Sequence, residues 1–255
     1  MSMIHFGRQV QGRAVQRGQP ISLPPFTYAR PRPTGRLAIT GADSMENCPP
    51  GTVLGLSLPT WTGSPTLSYL WTLDNVPVGT AATYTAPASG GTIRCRQTAK
   101  FASGLANTVT SEPVYVNLLA SYQPPLGASW IKINCVESDQ TTFARETSSA
   151  SSAFYIVQNV STGLVLGQSY VLTGSVRNVS APTAAGGAYL LALENSSIEV
   201  GRTPSIPPGG SSFIVDGFEF SLTTTAQVQI RVMSGAQAAG QVFEVQYVQL
   251  RRKPT

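Results

Sequence analysis

Carboxylates have the best claim to chemistry in this sequence, because two of them facing each other across a sugar linkage can break it. Glu137 and Asp139 stand two apart, so in a strand they share a face. Asp216 and Glu219 lie either side of Gly217 across a turn-prone stretch, and Glu194 and Glu199 bracket Asn195-Ser196-Ser197. Neither spacing nor apolar surroundings argue for a raised pKa on any of them, so each reads as a solvated surface acid. Glu137-Ser138-Asp139 also offers oxygens of the kind calcium takes. A solvated role is favoured there too, and no metal or cofactor is expected. His5 is the sole histidine and sits in a proline-rich N-terminal stretch, outside any folded pattern. A Ser–His–acid or Cys–His arrangement would have to recruit it from there. Cys48, Cys95 and Cys135 stand 47 and 40 residues apart, too sparse for a zinc site. There is no GxxxxGK loop and no GxGxxG after a strand, and Gly186-Gly187 and Gly209-Gly210 suit turns. The chain reads as non-enzymatic.

The elements that would position these residues are strands. Apolar residues make up 42% and charged residues only 11%, with abundant turn formers and no stretch of 3.6-residue period. No run of eighteen apolar residues offers a membrane span, and the first fifteen residues have no apolar core of a signal peptide, so secretion by that route is not expected. Residues 51 to 116 alternate with period two. Leu54, Leu56 and Leu58 alternate, as do Tyr69 and Trp71 against Ser68 and Leu70. Ile93, Cys95 and Gln97 oppose Thr92, Arg94, Arg96 and Thr98. Turn signals such as Asp74-Asn75 recur every eight to twelve residues, which predicts an antiparallel sandwich over 37–118 with Trp71, Tyr84 and Cys95 in its core. Two small buried thiols are favoured over a Cys48–Cys95 disulfide.

Residues 119–129 read as a linker, because Pro124, Pro125 and Gly127 stop any strand. A second all-β pattern over 130–250, about eight strands, fits a double-sheet jelly roll with Tyr170 in its core. The aromatics at 155, 170, 189, 218, 220, 243 and 247 mostly follow inward alternation and read as core rather than as sugar platforms. The fold class is therefore all-β: an extended N-terminal arm and two sandwiches.

Charge is polarised along the chain. Residues 1–36 hold Arg8, Arg13, Arg17, Arg30, Arg32 and Arg36 with no acid, and the tail 251–255 holds Arg251, Arg252 and Lys253. These nine cations exceed the net charge of +5, so the body between them is mildly acidic. The first 36 residues also carry five prolines that favour extended backbone. They read as an assembly arm lying on a neighbouring subunit, anchored by Phe6, Phe26, Tyr28, Arg8, Arg13, Arg17, Arg30 and Arg32. The alternative is a tail folded back over its own sandwiches. Nucleic acid is not the expected partner, since the arginines are spread out with no aromatic-striped sheet or recognition helix beside them.

Several stretches carry a resemblance. Tyr69-Leu70-Trp71, Asp74-Asn75-Val76-Pro77-Val78-Gly79, Ala82-Thr83-Tyr84, Gly90 to Cys95, Thr98-Ala99 and Ser103-Gly104 resemble, in order and spacing, the bacterial-type immunoglobulin-like modules of bacteriophage virion proteins. Gly167 to Ser175, Tyr189 to Leu193, the pair Phe218 to Leu222 and Val228 to Val232, and Gly240 to Leu250 resemble the carbohydrate-binding-module-like jelly rolls of phage fibre, baseplate and decoration proteins. The resemblance implies a structural component of a bacteriophage particle, made in the host cytoplasm. A capsid decoration or cement protein docked by its arm comes first. A tail, neck, baseplate or fibre protein that binds host-surface carbohydrate is the alternative, and a glycan-degrading enzyme comes last. The implied partners are other virion subunits, further copies of the chain in a homo-oligomer, and a host-surface glycan.

Overall fold

The computed structural model describes residues 30–119, 122–123, 126, 128–139, 142–149, 154–180, 187–210, 212–234 and 240–254. They form twenty-one strands and no helix. Of the expected arm anchors, Phe6, Arg8, Arg13, Arg17, Phe26 and Tyr28 lie outside the described residues. Arg30 and Arg32 lie within them and are exposed.

The first eleven strands build one sandwich. In one layer β3 (Asn47–Cys48), β11 (Val114–Val116), β9 (Gly91–Lys100), β6 (Thr66–Leu73) and β7 (Val76–Gly79) lie side by side, and β10 (Ala106–Thr110) pairs with the far half of β9. The facing layer is β2 (Ala38–Thr40), β4 (Val53–Ser57) and β8 (Tyr84–Thr85), while β1 (Pro33–Thr34) pairs with β5 (Thr60–Trp61). Strict alternation along β9 buries Ile93, Cys95 and Gln97 and turns Arg94, Arg96 and Thr98 outward. Ile93, Cys95, Trp71, Val114 and Val116 meet Leu54 of the facing layer in one core. Trp71 stacks on half-buried Tyr84 at 5.7 Å between centroids. Asp74 and Asn75 both take positive φ (50° and 68°), which matches the twist of a two-residue hairpin between β6 and β7. Cys48 and Cys95 are free, buried thiols, and burial pushes both up to about 11.

The second sandwich has two five-stranded layers. One runs β12 (Ile131–Ile133), β15 (Phe154–Val160), β20 (Val228–Ser234), β17 (Ala188–Glu194), β18 (Ile198–Arg202). The other runs β13 (Cys135–Asp139), β14 (Ala144–Ser148), β21 (Val242–Arg252), β16 (Ser169–Ser180), β19 (Ile214–Ser221). The pairs β12–β13 and β18–β19 are each consecutive in the chain, so it changes layer at both edges of the sandwich. Phe154, Ile156, Ile230 and Val232 face Tyr170, Leu172, Phe243 and Val245, with Phe154 stacked on Phe243 at 5.1 Å.

Two expectations change at the junction. The segment expected as a linker contributes Leu119, Tyr122 and Leu126 to the second core, along with neighbouring Leu118 and Trp130. Leu118 N–H donates to the Leu250 carbonyl (2.8 Å) and Val248 N–H to the Tyr122 carbonyl (3.0 Å), so Leu118 and Tyr122 lie alongside β21. Buried Asn117 ties both sides: its Oδ1 accepts from Leu119 N–H (3.1 Å) and Leu250 N–H (3.0 Å). Arg251 and Arg252, expected in a free basic tail, continue β21 instead. The Arg251 guanidinium lies 4.4 Å from the Tyr115 ring centre, and Arg252 pairs with Asp74. Both partners belong to the first sandwich. Tyr122 adds a third link by donating to Asp43 Oδ2 at 2.7 Å. Proline breaks a strand ladder, but it does not keep the apolar residues around it out of a core.

Candidate functional site

Register across β15, β20 and β17 places Tyr155, Met233 and Tyr189 in one row. The next row is Val157, Arg231 and Leu191, and the one after is Asn159, Gln229 and Leu193. The opposite face of the same strands carries Ile156, Val232 and Leu190, which fill the core, so these rows form the outer face. Tyr155, Tyr189, Met233, Arg231 and Gln229 are half-exposed there and Asn159 is exposed. The polar groups are held in order. Arg231 Cζ lies 4.7 Å from the Tyr155 ring centre, its Nε donates to Gln229 Oε1 (2.6 Å), and Gln229 Nε2 donates to Asn159 Oδ1 (2.9 Å). A cavity of ≈ 180 Å³ opens at this end of the face, lined by Asn159, Ser161, Ser196, Gln227 and Gln229.

Such a surface can take a flat, partly apolar ligand with many hydroxyls. Tyrosine rings cover the C–H faces of the ligand, and the amide and guanidinium groups reach its oxygens. Two strand spacings put the tyrosines about 10 Å apart, so both can engage one extended ligand.

The aromatics expected in the core divide. Tyr170, Phe220 and Phe243 are buried, while Tyr155, Tyr189, Phe218 and Tyr247 are half-exposed. Phe218 still packs against the core. Tyr155 and Tyr189 are the two that the outer face uses. Arg231, Gln229 and Asn159 were legible in sequence only as the polar half of an alternating strand.

The acids do not form a pair of the kind first considered. Glu137 is on β13 and Asp216 and Glu219 are on β19, at opposite edges of a five-stranded layer. Four strand spacings put those strands about 19 Å apart, well beyond the separation of paired catalytic carboxylates. Glu219 pairs with Lys253 (2.6 Å), Glu199 with Arg202 (3.3 Å), and Glu137 with Lys132. The carboxylate opposite Glu137 in the ladder is Glu146, which is buried and lies against the Cys135 thiol. Burial, then the Glu146 carboxylate, pushes that thiol above its ordinary range, so it stays protonated and unreactive. Among the described residues no group of three or more His, Cys, Asp or Glu is placed to hold a metal ion, and the Asp139 side chain lies outside the described ones.

Glu194 is buried rather than solvated, and the reason is specific. Its Oε1 accepts from the backbone N–H groups of Thr223 (2.9 Å), Thr224 (2.6 Å) and Thr225 (2.7 Å), and the Thr223 hydroxyl donates to Oε2 (3.2 Å). Burial alone would raise its pKa. The amides of Thr225, Thr224 and Thr223 outweigh that and hold it at about 2, down from 4.5. A depressed folded pKa contributes stability that is fully present above pH 4.5 and fades as pH falls towards 2. Urea midpoints taken across that pH range are expected to fall in the parent and to be flatter in Glu194→Gln.

No known family's sequence profile matches the chain, and no curated protein matches it in sequence. Solved structures resemble it in form. TmCBM61 in complex with β-1,4-galactotriose is 12% identical, with 54% of this chain and 99% of that one covered and a TM-score of 0.41. A structure of promiscuous carbohydrate-binding modules from the β-sandwich superfamily is 15% identical, with 87% and 98% covered and a TM-score of 0.33. The enzymatically active domain of bacteriophage CBA120 tailspike protein 4 is 11% identical, with 54% of this chain and 21% of that one covered and a TM-score of 0.39.

Proposed function

We propose that the second sandwich is a non-catalytic carbohydrate-binding unit whose ligand lies across the outer face of β15, β20 and β17. The observation that carries this is the row of Tyr155 and Tyr189 beside the ordered ladder of Arg231, Gln229 and Asn159. The aromatic rings supply stacking area at low entropic cost, and the fixed polar groups select hydroxyl positions. The test is calorimetric titration of the full chain with a panel of neutral oligosaccharides. Tyr155→Ala and Tyr189→Ala are each expected to weaken binding about tenfold, the value of one aromatic platform, with little change in melting temperature. Absence of binding across the panel, or binding that both variants retain, would refute the assignment.

We further propose that this unit is carried on a bacteriophage particle, where it meets a host-surface glycan. The support is the resemblance of both sandwiches together with the run of arginines ahead of them. Arg32 leaves the first sandwich through paired backbone contacts: its N–H donates to Thr62 Oγ1 (3.1 Å) and its carbonyl accepts from Thr62 N–H (3.1 Å). Deleting residues 1–29 leaves those contacts intact. It is expected to abolish incorporation into particles while circular dichroism shows both sandwiches folded, and normal incorporation would remove the support.

A further inference from the structure

The outer face of β9 carries Arg94, Arg96 and Lys100 on alternate positions about Thr98, so successive side chains stand about 7 Å apart. Arg96 and Lys100 are exposed and Arg94 is half-buried. Register brings hydroxyls alongside on both neighbours: Ser68 and Thr72 of β6 flank Thr98 and Arg94, while Thr108 and Thr110 of β10 flank Thr98 and Arg96. A shallow groove of ≈ 260 Å³ runs between Thr72, Arg94, Arg96 and Thr110.

Six of the described cations elsewhere are matched with acids. Arg145 and Arg177 share Glu244, Arg202 has Glu199, Arg252 has Asp74, and Lys132 and Lys253 each have a glutamate. Among the described residues none of Arg94, Arg96 and Lys100 pairs with a carboxylate. Arg94 reaches only the Ser111 carbonyl, at 3.4 Å. The acid next in chain to that contact, Glu112, is exposed, and Asp74 at the end of the strand is committed to Arg252 and the Thr92 N–H.

We propose that this face binds an acidic polysaccharide, a chain of sugar rings bearing carboxylate or sulfate groups. Three cations in one row without a carboxylate partner, about 7 Å and then about 14 Å apart, suit a polymer with repeated charge, because a fixed row of one sign raises the local concentration of its counter-ion. Guanidinium groups take carboxylate and sulfate oxygens two at a time, and the flanking hydroxyls exchange hydrogen bonds with the sugar's own. Register puts hydroxyl and aliphatic side chains beside Arg94, Arg96 and Lys100, and the aromatic ring of this face, Tyr115 opposite Thr92, is covered by Arg251, which disfavours the base stacking a single-stranded nucleic acid depends on. This site lies on the first sandwich and does not rest on the reading of Tyr155 and Tyr189.

The test uses the full chain with heparin and polygalacturonate as probes, and with neutral dextran and duplex DNA for comparison. At least one acidic glycan is expected to bind, dextran is not, and affinity is expected to fall as salt rises from about 0.05 to 0.5 M. R94Q/R96Q/K100Q is expected to lose tenfold or more in affinity, while Tyr155→Ala/Tyr189→Ala retains it. Single variants R96Q and K100Q, both at exposed positions, are expected to lose about threefold each, consistent with partly screened surface contacts. They keep the test decisive should the triple variant fold poorly. Binding unchanged in these variants would assign the effect to the arginines of residues 1–36 and overturn the proposal. So would failure of both acidic probes, or duplex DNA binding more tightly than either.

Discussion

Trp71→Ala is expected to destabilise the protein by about 4–5 kcal/mol, measured from the denaturant midpoint of the full chain. The side chain is wholly buried among Leu54, Ile93, Cys95 and Val116, where its removal leaves a cavity that sheet backbones on both sides cannot close. Two further losses accompany the cavity. The stacked contact with Tyr84 disappears, and the Ala81 carbonyl loses the indole Nε1–H that donates to it at 2.9 Å. Trp71→Phe separates these effects. It keeps most of the packing but gives up the hydrogen bond, and about 1–2 kcal/mol is expected for it. The junction contacts of Asn117, Tyr122 and Arg252 join the two sandwiches, so the Trp71→Ala loss should appear as an earlier single transition rather than as a separate early step. A loss below about 1 kcal/mol would place Trp71 outside the core.

Glu244→Ala is expected to cost about 3–5 kcal/mol, the range for removing one partner of a buried ion pair. The carboxylate on β21 is fully buried on the outer side of its layer, between Arg145 of β14 and Arg177 of β16. Arg145 donates to Oε1 through Nε (2.8 Å) and Nη2 (2.5 Å), and Arg177 donates to Oε2. The Arg177 guanidinium also lies over the rings of Phe213 (4.6 Å) and Phe143 (5.3 Å), which shield the cluster from water. Removing Glu244 leaves two guanidinium groups side by side without the carboxylate that sits between them. Replacing all three residues with apolar ones, R145M/R177M/E244L, is expected to recover most of the loss, because the desolvation cost of the ions disappears with them. Melting temperatures of the parent and the two variants check both statements. A triple variant no more stable than Glu244→Ala would mean that the ions stabilise the sandwich outright.

How much of this was legible in the sequence depends on how apolar each strand is on its two sides. In β9 only one face is apolar, so Ile93, Cys95 and Gln97 were readable as inward, and Arg94 and Arg96 as outward. The hairpin at Asp74-Asn75 was readable because those residues tolerate positive φ at low cost. Phe154-Tyr155-Ile156-Val157 is apolar on both faces, and there alternation shows only which residues share a side. The structure puts Phe154 and Ile156 inside and leaves Tyr155 on the outer face beside Arg231. Glu194 gave no local sign of burial, because the three amides that hold it come from a turn some thirty residues later.

Periodicity, turn residues and the scarcity of charge were enough to determine an all-β chain with two cores and a positively charged N-terminal stretch. Those are local properties, set by how successive side chains partition between water and a strand's inner face. Tertiary structure alone decided which tyrosines share a row and which acids stand at opposite edges of a layer. It also made Leu119, Tyr122 and Leu126 part of a core and Arg251 and Arg252 part of a junction. Each of those depends on register and on layer stacking between residues far apart in sequence, and a pattern of period two carries no record of either.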